Sequence, residues 1–528
     1  MSRKKKLAAQ FRAGYGKTPD VDYLSGDMDG IRSYFDMCRR QEPDAFWIDD
    51  TTWNDLDMDS VYRRINPGLS TAGEQYLYRM LRSPADPASF ERQKRLIAIA
   101  ENEPETRLKL QLILNRIGRK RHVDLAGERV SRRPSGKQLA VYLLLGCLLP
   151  VCALLLLALQ PKLGALLLVG TLAGNGYYHT WKTRKLEMDM DTQDTCVELL
   201  FALRRLQRLR HAGLDETLRD IYPCLSRLKA LLWLGPVSAI KASQIGSLLS
   251  PIFLTDLQVY EITKGQLSKH YADYLKIHEA VGRIDAAIAA ASFRQSLPVY
   301  CKPEIAFEAE KPFLHAKGLI HPLLGEPVPN DAELDRPLLI TGANASGKST
   351  YIKTALLCAL LSQSLCTSPC ESYKASAFRV YSSMAPEDSV QSGDSYYVAE
   401  IKSLKRILDD DSGKPVLCGI DEVLRGTNTV ERIAASTEVL RALKEKGFLC
   451  VAATHDMELC ALLKEDYTLA HFEETVTEKE IRFDYRIRSG PATTRNAINL
   501  LRLIGFDEKI TGRAHERADR YAETGKWS

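Results

Sequence analysis

The sequence has twelve cysteines among its 528 residues but no pair in a C-x-x-C arrangement. Cys366 and Cys370 are the two nearest neighbours along the chain, and neither has further cysteine or histidine partners at the spacing of zinc ligands. Scattered single cysteines are typical of reduced intracellular thiols that pack as small apolar side chains. The pattern therefore argues against a structural zinc site and against a disulfide framework.

The sequence also lacks a strong excess of charge, because 72 Lys and Arg residues face 67 Asp and Glu residues, for a net charge of +5. Nothing global therefore indicates nucleic-acid binding. Basic residues are locally clustered in Arg3–Lys6 and in 116–121. The basic start is interrupted by Gln10, Arg12 and Lys17 before any apolar run, which argues against a cleaved signal peptide.

Leu339–Thr350 reads LITGANASGKST and has the G-x-x-x-x-G-K-S spacing of a phosphate loop. An apolar run precedes it and a helix-favouring run follows it, which is the strand–loop–helix context that the motif requires. The glycines let backbone N–H groups surround phosphate at a helix N-terminus. Lys348 is placed to reach the β- and γ-phosphates, and the Ser349 hydroxyl to bind Mg²⁺. The stretch therefore predicts binding of a nucleoside triphosphate.

Two further apolar runs end in polar side chains suited to hydrolysis. The run 414–422 ends in Asp421 and Glu422. At the end of a buried strand, Asp421 would complete the Mg²⁺ shell, and Glu422 would orient and deprotonate the attacking water. The run 449–455 ends in Thr454 and His455, and the histidine there can sense the γ-phosphate or position the water. These residues predict ATP hydrolysis.

Between these motifs lies the segment 388–397, which contains Ser392, Gly393 and Ser395 just before a predicted helix. Hydroxyl and backbone donors at a helix start suit a γ-phosphate. Because the chain's own nucleotide already has a phosphate loop, we expect this segment to act on the nucleotide of a second subunit.

Residues 139–159 form an uncharged run of 21 residues, long enough at about 1.5 Å per residue to cross a bilayer. A second uncharged run spans residues 163–178. Basic residues flank the pair on both sides, which by the positive-inside rule places both flanks in the cytoplasm. The sequence thus predicts a two-span transmembrane hairpin, a membrane contact through residues 139–178 and a multi-pass membrane protein. The alternative is a pair of buried helices.

The rest of the N-terminal part has apolar residues at helical spacing, including the amphipathic segment 199–209 and an alanine-rich stretch at 284–293 suited to close helix contact. The fold class predicted is therefore an α/β P-loop ATPase domain that follows an all-α lever domain interrupted by the hairpin. The predicted domains are a basic tail with a helix near Met28–Arg40 (1–45), a first helical part (46–137), the hairpin (138–181), a second helical part (182–300), the ATPase domain (301–490) and C-terminal helices (491–528).

Taken together, the motifs resemble the ATPase domain of MutS-type mismatch-repair proteins. The resemblance rests on the segments Gly282–Ala291, Gly318–Leu323, Val328–Asp331, Thr341–Thr350, Ser392–Ser395, Asp421–Asn428, Thr454–His455 and Thr494–Ala514. Residues 46–135 are similar to the start of the family's helical core, and 494–514 to its dimerising helices.

The resemblance implies a homodimer with two ATP molecules buried between subunits, and it assigns roles to individual residues. It implies ATP-phosphate binding by Gly342, Ala343, Asn344, Ala345, Ser346, Gly347, Lys348, Ser349 and Thr350. It implies that Val328 and Asn330 contact the adenine and that Ser349 and Asp421 bind the metal ion. It implies that Glu422 and His455 are catalytic. It implies that Ser392, Gly393 and Ser395 reach into the nucleotide site of the partner subunit.

The sequence departs from the family pattern at several positions: the family has Pro at Ala343, Met-Gly at Ala345-Ser346 and Gly at Leu424. The loop is thus also similar to those of ABC and SMC-type ATPases. The first 45 residues are too few to fold a mismatch-reading domain. We expect a dimeric, membrane-tethered ATPase related to mismatch repair that binds ATP, Mg²⁺ and double-stranded DNA. The alternatives are a membrane-anchored mechanical ATPase acting on a protein partner without DNA, and an ABC-like transport ATPase.

Overall fold

A computed structural model describes residues 3–24, 26–120, 123–125, 127–233, 244–384, 396–425, 427–476, 481–492 and 497–524. The chain divides into two compact units. The first, called here the helical unit, contains Met1–Ala45, Ile65–Met80 and Glu91–Ser296. The second, the sheet unit, contains Phe46–Arg64, Leu81–Phe90 and Leu297–Ser528. Parts of the predicted first helical domain, residues 46–64 and 81–90, thus cluster with the sheet unit.

The helical unit consists of helices of very different length. They are Arg3–Gly14, Asp27–Gln41, Thr71–Leu81, Pro87–Asn102, Pro104–Ile117, Glu128–Ser131, Gly136–Leu143, the π-helical turn Leu144–Leu148, Leu149–Leu159, Pro161–Gln207, Ala212–Leu218, Tyr222–Arg227, Lys229–Trp233, Gln244–Phe253, Thr255–Lys269 and Tyr271–Ser296. The helix predicted near Met28–Arg40 is present as Asp27–Gln41.

The helix Tyr271–Ser296 is largely buried in this unit, including its alanine-rich part Ala286–Ala291. The small side chains permit close packing, as the sequence predicted. Gly282 shows how close it is: a Cβ there would lie 2.5 Å from Tyr76 Cβ and 2.7 Å from the Ala72 carbonyl oxygen. Any larger residue would push the helix Thr71–Leu81 away.

The predicted two-span hairpin is wrong. Among the described residues one helix, Gly136–Leu159, is long and apolar enough to cross a membrane by length and composition, and 22% of its most apolar window is buried. The second uncharged run is part of the 47-residue helix Pro161–Gln207, which continues into charged sequence. Its Asn175 is buried and donates to the carbonyls of Leu145 and Ile252, at 2.8 Å each. A buried core helix can have the same length and composition. Because one such helix is found in the described residues and not two, the predicted multi-pass membrane localisation is wrong as well.

In its described residues the sheet unit holds ten strands. They are β1 Glu304–Ala306, β2 Leu314–Leu319, β3 Asn330–Leu334, β4 Leu338–Thr341, β5 Ser372–Ser376, β6 Arg379–Ser383, β7 Val416–Asp421, β8 Leu449–Ala453, β9 Thr468–Val476 and β10 Ile481–Ser489. Its helices are Asp50–Asp55, Met58–Ile65, Lys348–Leu365, Tyr396–Leu408, Thr429–Glu445, Met457–Leu463, Ala497–Ile504 and Glu508–Thr524.

The strands form a four-stranded sheet of order β1-β5-β2-β3 and a six-stranded sheet of order β10-β9-β4-β8-β7-β6. In the larger sheet β6, β7, β8, β4 and β9 are parallel, and β10 pairs antiparallel with β9. Strands β4 and β8 are buried along their whole length, as is typical of parallel strands covered on both faces. Since parallel strands end at the same edge, the polar residues after β4, β7 and β8 come together there.

Segments from the N-terminal part of the chain pack within the sheet unit through polar contacts. The Asp55 carboxylate accepts hydrogen bonds from the Ser382 hydroxyl at 2.6 Å and from the Met384 backbone N–H at 3.0 Å. The buried Arg82 guanidinium lies 3.9 Å from the centre of the Trp53 ring and forms an ion pair with Asp50 at 2.8 Å. These contacts attach residues 46–64 and 81–90 to the end of β6.

Candidate functional site

The predicted phosphate loop connects β4 to the helix Lys348–Leu365, as its sequence context required. Gly342 and Gly347 have φ angles of 141° and 111°, in the region that favours glycine. A Cβ on Gly342 would lie 2.7 Å from the Phe472 carbonyl oxygen. Ala345 is also left-handed, with φ 64°. The loop therefore has three residues with positive φ before the helix begins.

Lys348 is folded back over this loop. Its Nζ donates to the carbonyl oxygens of Gly342 at 2.8 Å and Ala343 at 2.9 Å. Burial lowers the pKa of Lys348, and the neighbouring carboxylates Asp421 and Glu422 act in the opposite direction. A partly desolvated ammonium held by two carbonyl dipoles is well suited to bind an anion, because its charge is screened less than in water.

Asp421 and Glu422 follow β7 at the same edge of the sheet. Asp421 is the last residue of the strand and pairs in register with Ala453 of β8. Glu422 turns out of the strand with φ 59°, and its backbone N–H donates to the Ala453 carbonyl at 3.0 Å. The left-handed conformation directs the Glu422 side chain toward the residues that follow β8.

Glu422 lies between His455 and Arg425. Its Oε1 is 2.8 Å from His455 Nε2, and its Oε2 is 2.5 Å from Arg425 Nε. Burial raises the pKa of Glu422, but the hydrogen bond and charge of His455, with Arg425 and Lys348, outweigh it, so that the net pKa is lowered. The carboxylate is therefore ionised at neutral pH.

His455 also lies 3.4 Å from Lys348 Nζ through the same Nε2 atom. His455 thus contacts both Lys348 and Glu422, so that three side chains predicted from separate motifs lie together. The fold therefore brings together motif residues that are up to 107 positions apart in the chain.

Residues after β8 are held by their own network. The Thr454 N–H donates to the Ile340 carbonyl of β4 at 2.9 Å, and the Thr454 hydroxyl accepts from the Asp456 N–H at 3.0 Å. Arg432 forms two hydrogen bonds with the Asp456 carboxylate, at 2.9 and 2.6 Å. A cavity of about 90 Å³ is lined by Glu422, Val423, Arg425, Arg432, Thr454, His455 and Asp456. The network fixes the backbone on which His455 is carried.

A larger cavity of about 340 Å³ borders the end of the loop at Gly347 and Thr350. It is lined by Leu319, His321, Leu324, Glu326, Pro327, Val328, Asn330, Gly347, Thr350, Tyr351, Thr354 and Tyr485. Val328 and Asn330, expected near adenine, are both in its wall. The Asn330 amide is already engaged: its Nδ2 donates to the Tyr485 carbonyl at 2.9 Å, and its Oδ1 accepts from the Ile487 N–H at 2.8 Å. Asn330 thus ties β3 to β10.

Sequence reasoning missed Tyr485 and His321 as cavity residues. Tyr485 has φ 56° and lies where β10 shifts register against β9, so that its position depends on a bulge that no motif marks. Burial, with the charge of Lys353, lowers the pKa of His321 to about 4, so that this side chain is neutral at physiological pH. Aromatic and neutral polar walls of this kind suit a planar heterocycle.

Glu400 was also missed, although it stands on the helix that follows the predicted partner-facing segment. Its Oε1 accepts a hydrogen bond from the Leu424 backbone N–H. Burial raises the pKa of Glu400, and the N–H groups of Leu424 and Arg425 oppose that shift. Leu424 has φ 61°, so Glu400 stabilises a left-handed turn directly after Glu422. Ser392, Gly393 and Ser395 lie outside the described residues.

The residues present fit a magnesium ion bound together with a nucleotide. No group of three or more His, Cys, Asp or Glu side chains in the described part of the chain could hold a metal ion alone. Mg²⁺ commonly binds through one or two carboxylates, water and substrate phosphates. Asp421 at the end of β7, and Ser349 in the first turn of the helix Lys348–Leu365, supply such a donor set.

Comparison with known proteins matches residues 338–522 to the family model "MutS domain V". The matched part begins at β4 and extends into the last helix. It includes the predicted phosphate loop, both strand-end pairs and the C-terminal helices.

The similar curated proteins carry mismatch-repair names. The chain is 28% identical over 260 residues to "DNA mismatch repair protein MutS 2" of Halobacterium salinarum, covering 46% of this chain and 30% of that protein. It is 30% identical over 250 residues to "DNA mismatch repair protein MutS" of Natronomonas pharaonis, covering 45% and 28%. It is 27% identical over 277 residues to "DNA mismatch repair protein MSH3" of Meyerozyma guilliermondii, covering 48% and 28%. The match thus spans under a third of each relative. The family resemblance predicted from the sequence is confirmed across the C-terminal half.

Proposed function

Because residues 338–522 form a MutS domain V, we propose that this protein is a Mg²⁺-dependent ATPase that hydrolyses ATP to ADP and phosphate and acts on DNA. The contacts of His455 with Lys348 and with Glu422 carry the proposal. Three motif residues that meet at one edge of a parallel sheet support a single reaction centre.

The loop N–H groups and Lys348 hold the phosphates, with the adenine in the cavity beside Val328 and Tyr485. Ser349 and Asp421 would hold the metal ion, and the ion would supply positive charge to neutralise the phosphate oxygens. Glu422, ionised and held by His455 and Arg425, accepts a proton from the attacking water. His455 contacts both Glu422 and Lys348. The position of its imidazole would therefore change when the negative charge of the γ-phosphate is gained or lost.

We propose in addition that a second copy of the chain completes each site through Ser392, Gly393 and Ser395, with residues 491–528 as dimerising helices. The mismatch-repair names of the relatives support double-stranded DNA as the partner. Contacts with phosphates would make binding strongly salt-dependent and largely insensitive to sequence.

Equilibrium binding of a fluorescent ATP analogue to the full chain tests the nucleotide site. Lys348→Ala removes charge-assisted hydrogen bonds to phosphate, each of which is worth about 1.5–3 kcal/mol, so we expect affinity to fall about 10- to 100-fold. The control is Lys374→Ala, whose exposed ammonium forms a surface ion pair with Glu304. Equal affinity of Lys348→Ala and wild type would disprove the phosphate assignment.

A gel shift with homoduplex, mismatched and branched DNA, with and without ATP, tests the DNA partner. We expect binding that weakens steeply between low and moderate salt. Binding that is absent at low salt for all three DNAs, in protein that still binds ATP, would remove DNA from the proposal and leave the ATPase intact.

A further inference from the structure

Two cysteines that play no part in the proposed nucleotide site lie side by side in the sheet unit. The Sγ atoms of Cys301 and Cys370 are 3.5 Å apart. A disulfide bond is about 2.05 Å long, so the sulfur atoms have to approach by about 1.5 Å. Rotation about the two Cα–Cβ bonds is sufficient for a movement of that size.

The backbone around both cysteines holds them in this arrangement. Cys301 and Ser368 form an isolated antiparallel bridge, in which each N–H donates to the other's carbonyl, at 2.9 and 3.1 Å. The Cys370 N–H donates to the same Ser368 oxygen at 2.9 Å. The Ser368 carbonyl oxygen thus accepts hydrogen bonds from the N–H groups of both cysteines. This shared acceptor keeps the backbones of the two cysteines close together.

The two thiols differ in access and in chemistry. Cys301 is half-buried and reaches solvent, whereas Cys370 is fully buried. The hydrogen bond from the Cys301 thiol lowers the pKa of Cys370, burial raises it, and Ser368 lowers it further, with a net decrease. A partly exposed thiol therefore stands beside a buried thiol whose pKa is lowered. A solvent-accessible cysteine next to a second cysteine that can resolve its sulfenic acid is a common arrangement in redox-sensitive proteins.

We propose that Cys301 and Cys370 form a reversible disulfide when the protein meets a hydroperoxide. The Cys301 sulfur attacks the peroxide, the O–O bond breaks, and Cys301 becomes a sulfenic acid as one water leaves. The Cys370 thiolate then attacks the Cys301 sulfur, and the S–S bond forms as hydroxide departs and is protonated to a second water. Two thiols are oxidised and one hydrogen peroxide is reduced to two waters. An external thiol reverses the reaction by disulfide exchange.

The bond would close a ring that contains β1 to β4, the predicted phosphate loop and most of the wall of the 340 Å³ cavity. Cross-linking restricts the unfolded chain more as the enclosed loop lengthens, and 69 residues separate these two cysteines. Oxidation therefore stabilises this part of the sheet unit. The inference depends only on the cysteine geometry and stands independently of ATP hydrolysis.

The chain supplies its own controls, since all twelve cysteines lie in the described residues and none is in a disulfide. Cys418 and Cys450 are directly opposed on β7 and β8 but fully buried. Cys147 and Cys152 are exposed and report that the oxidant has acted.

The test treats the reduced full-length protein with hydrogen peroxide, alkylates the remaining thiols after denaturation and maps the peptides by mass. We expect a linked Cys301–Cys370 peptide that disappears on treatment with dithiothreitol, while Cys418 and Cys450 remain alkylated. The proposal is overturned if Cys147 and Cys152 are oxidised while Cys301 and Cys370 are both recovered as alkylated thiols. Separate oxidation of the two to sulfinic acids, without a link, would overturn it as well.

Thermal denaturation gives a second readout. Peroxide should raise the midpoint of wild type by several degrees, and Cys301→Ser should abolish the shift. Cys147→Ser, which changes an exposed thiol elsewhere, should retain it. Equal shifts in wild type and Cys301→Ser would show that the stabilisation does not come from this bond.

Discussion

Two histidines, one in each unit, show how differently the same side chain is used. His455 of the sheet unit has 35% of its side chain exposed and contacts the carboxylate of Glu422. His278 of the helical unit is fully buried and shares a 3.0 Å hydrogen bond with the neutral amide of Gln75. Burial lowers the pKa of His278 to about 3. The first histidine has a charged partner and access to solvent, whereas the second has neither.

The same contrast separates the acids of the two units. Glu422 is part-exposed between Arg425 and His455, and its pKa is lowered, so it is charged and available. Asp285 is buried against Ser70, and burial raises its pKa to about 7, so it holds a proton at mildly acidic pH. Solvent access together with an opposite charge distinguishes chemistry from packing in this protein.

The largest expected effect is on Glu422. Glu422→Gln keeps the shape of the side chain but cannot accept a proton, so ATP turnover should fall about 10²- to 10⁴-fold, while ATP binding remains. Steady-state phosphate release and equilibrium ATP binding would be measured together. Glu438→Gln, at an exposed position on the helix Thr429–Glu445, serves as the control. Unchanged turnover in Glu422→Gln would mean that another group is the base.

The two histidines should respond in opposite ways to replacement by alanine. His278→Ala opens a buried cavity and leaves the Gln75 amide without this partner, so the free energy of unfolding should fall by about 3 kcal/mol. Turnover per folded molecule should stay the same. His455→Ala should lower turnover and leave stability within about 0.5 kcal/mol. Chemical denaturation and ATPase assays would be carried out on both variants. An equal loss of stability in both would show that His455, like His278, has a structural role.

Asp285 predicts a pH dependence of stability in the helical unit. Its pKa is about 7 in the folded state and about 3.9 in the unfolded chain, so the folded state binds the extra proton. This contribution is complete below about pH 4 and is lost as pH rises through 7. The stability of wild type relative to Asp285→Asn should therefore fall by about 2–3 kcal/mol between pH 5 and pH 7.

Urea titrations of both proteins across this range measure that difference. The neighbouring Glu74, whose pKa is also raised by burial, is present in both proteins, and its titration largely cancels. Parallel pH profiles for wild type and Asp285→Asn would show that Asp285 does not titrate in this range.

The sequence allowed prediction of the parts of the site that are local in the chain. The loop 342–347 and the strand ends at Asp421 and His455 carry their chemistry within a few residues. Their meeting point follows from the rule that parallel strands end at one edge. These residues could be predicted to lie together without knowing that the strand order is β4-β8-β7.

The parts that could not be predicted depend on long-range packing. Tyr485 reaches the cavity because β10 pairs with β9 and bulges there. Glu400 reaches the Leu424 N–H across 24 residues of sequence. The hairpin was predicted from two uncharged runs and the basic residues that flank them. The buried role of Asn175 depends on the Ile252 carbonyl, 77 residues away, which no pattern within the run could reveal.

The smallest expected effect concerns the backbone of the predicted phosphate loop. Ala345 is exposed and left-handed at φ 64°, a conformation that costs a non-glycine residue about 1–2 kcal/mol, whereas glycine loses about 0.5–1 kcal/mol more in unfolded-state entropy. Ala345→Gly should therefore stabilise the sheet unit by about 0.5–1 kcal/mol. Gly413, with φ 67° and nothing within 4 Å of an added Cβ, allows the reverse change, and Gly413→Ala should destabilise by a similar amount. Denaturation midpoints would check both. A loss of stability in Ala345→Gly would mean that this residue is not held in the left-handed region, and that Gly342 and Gly347 alone supply the positive φ angles of the loop.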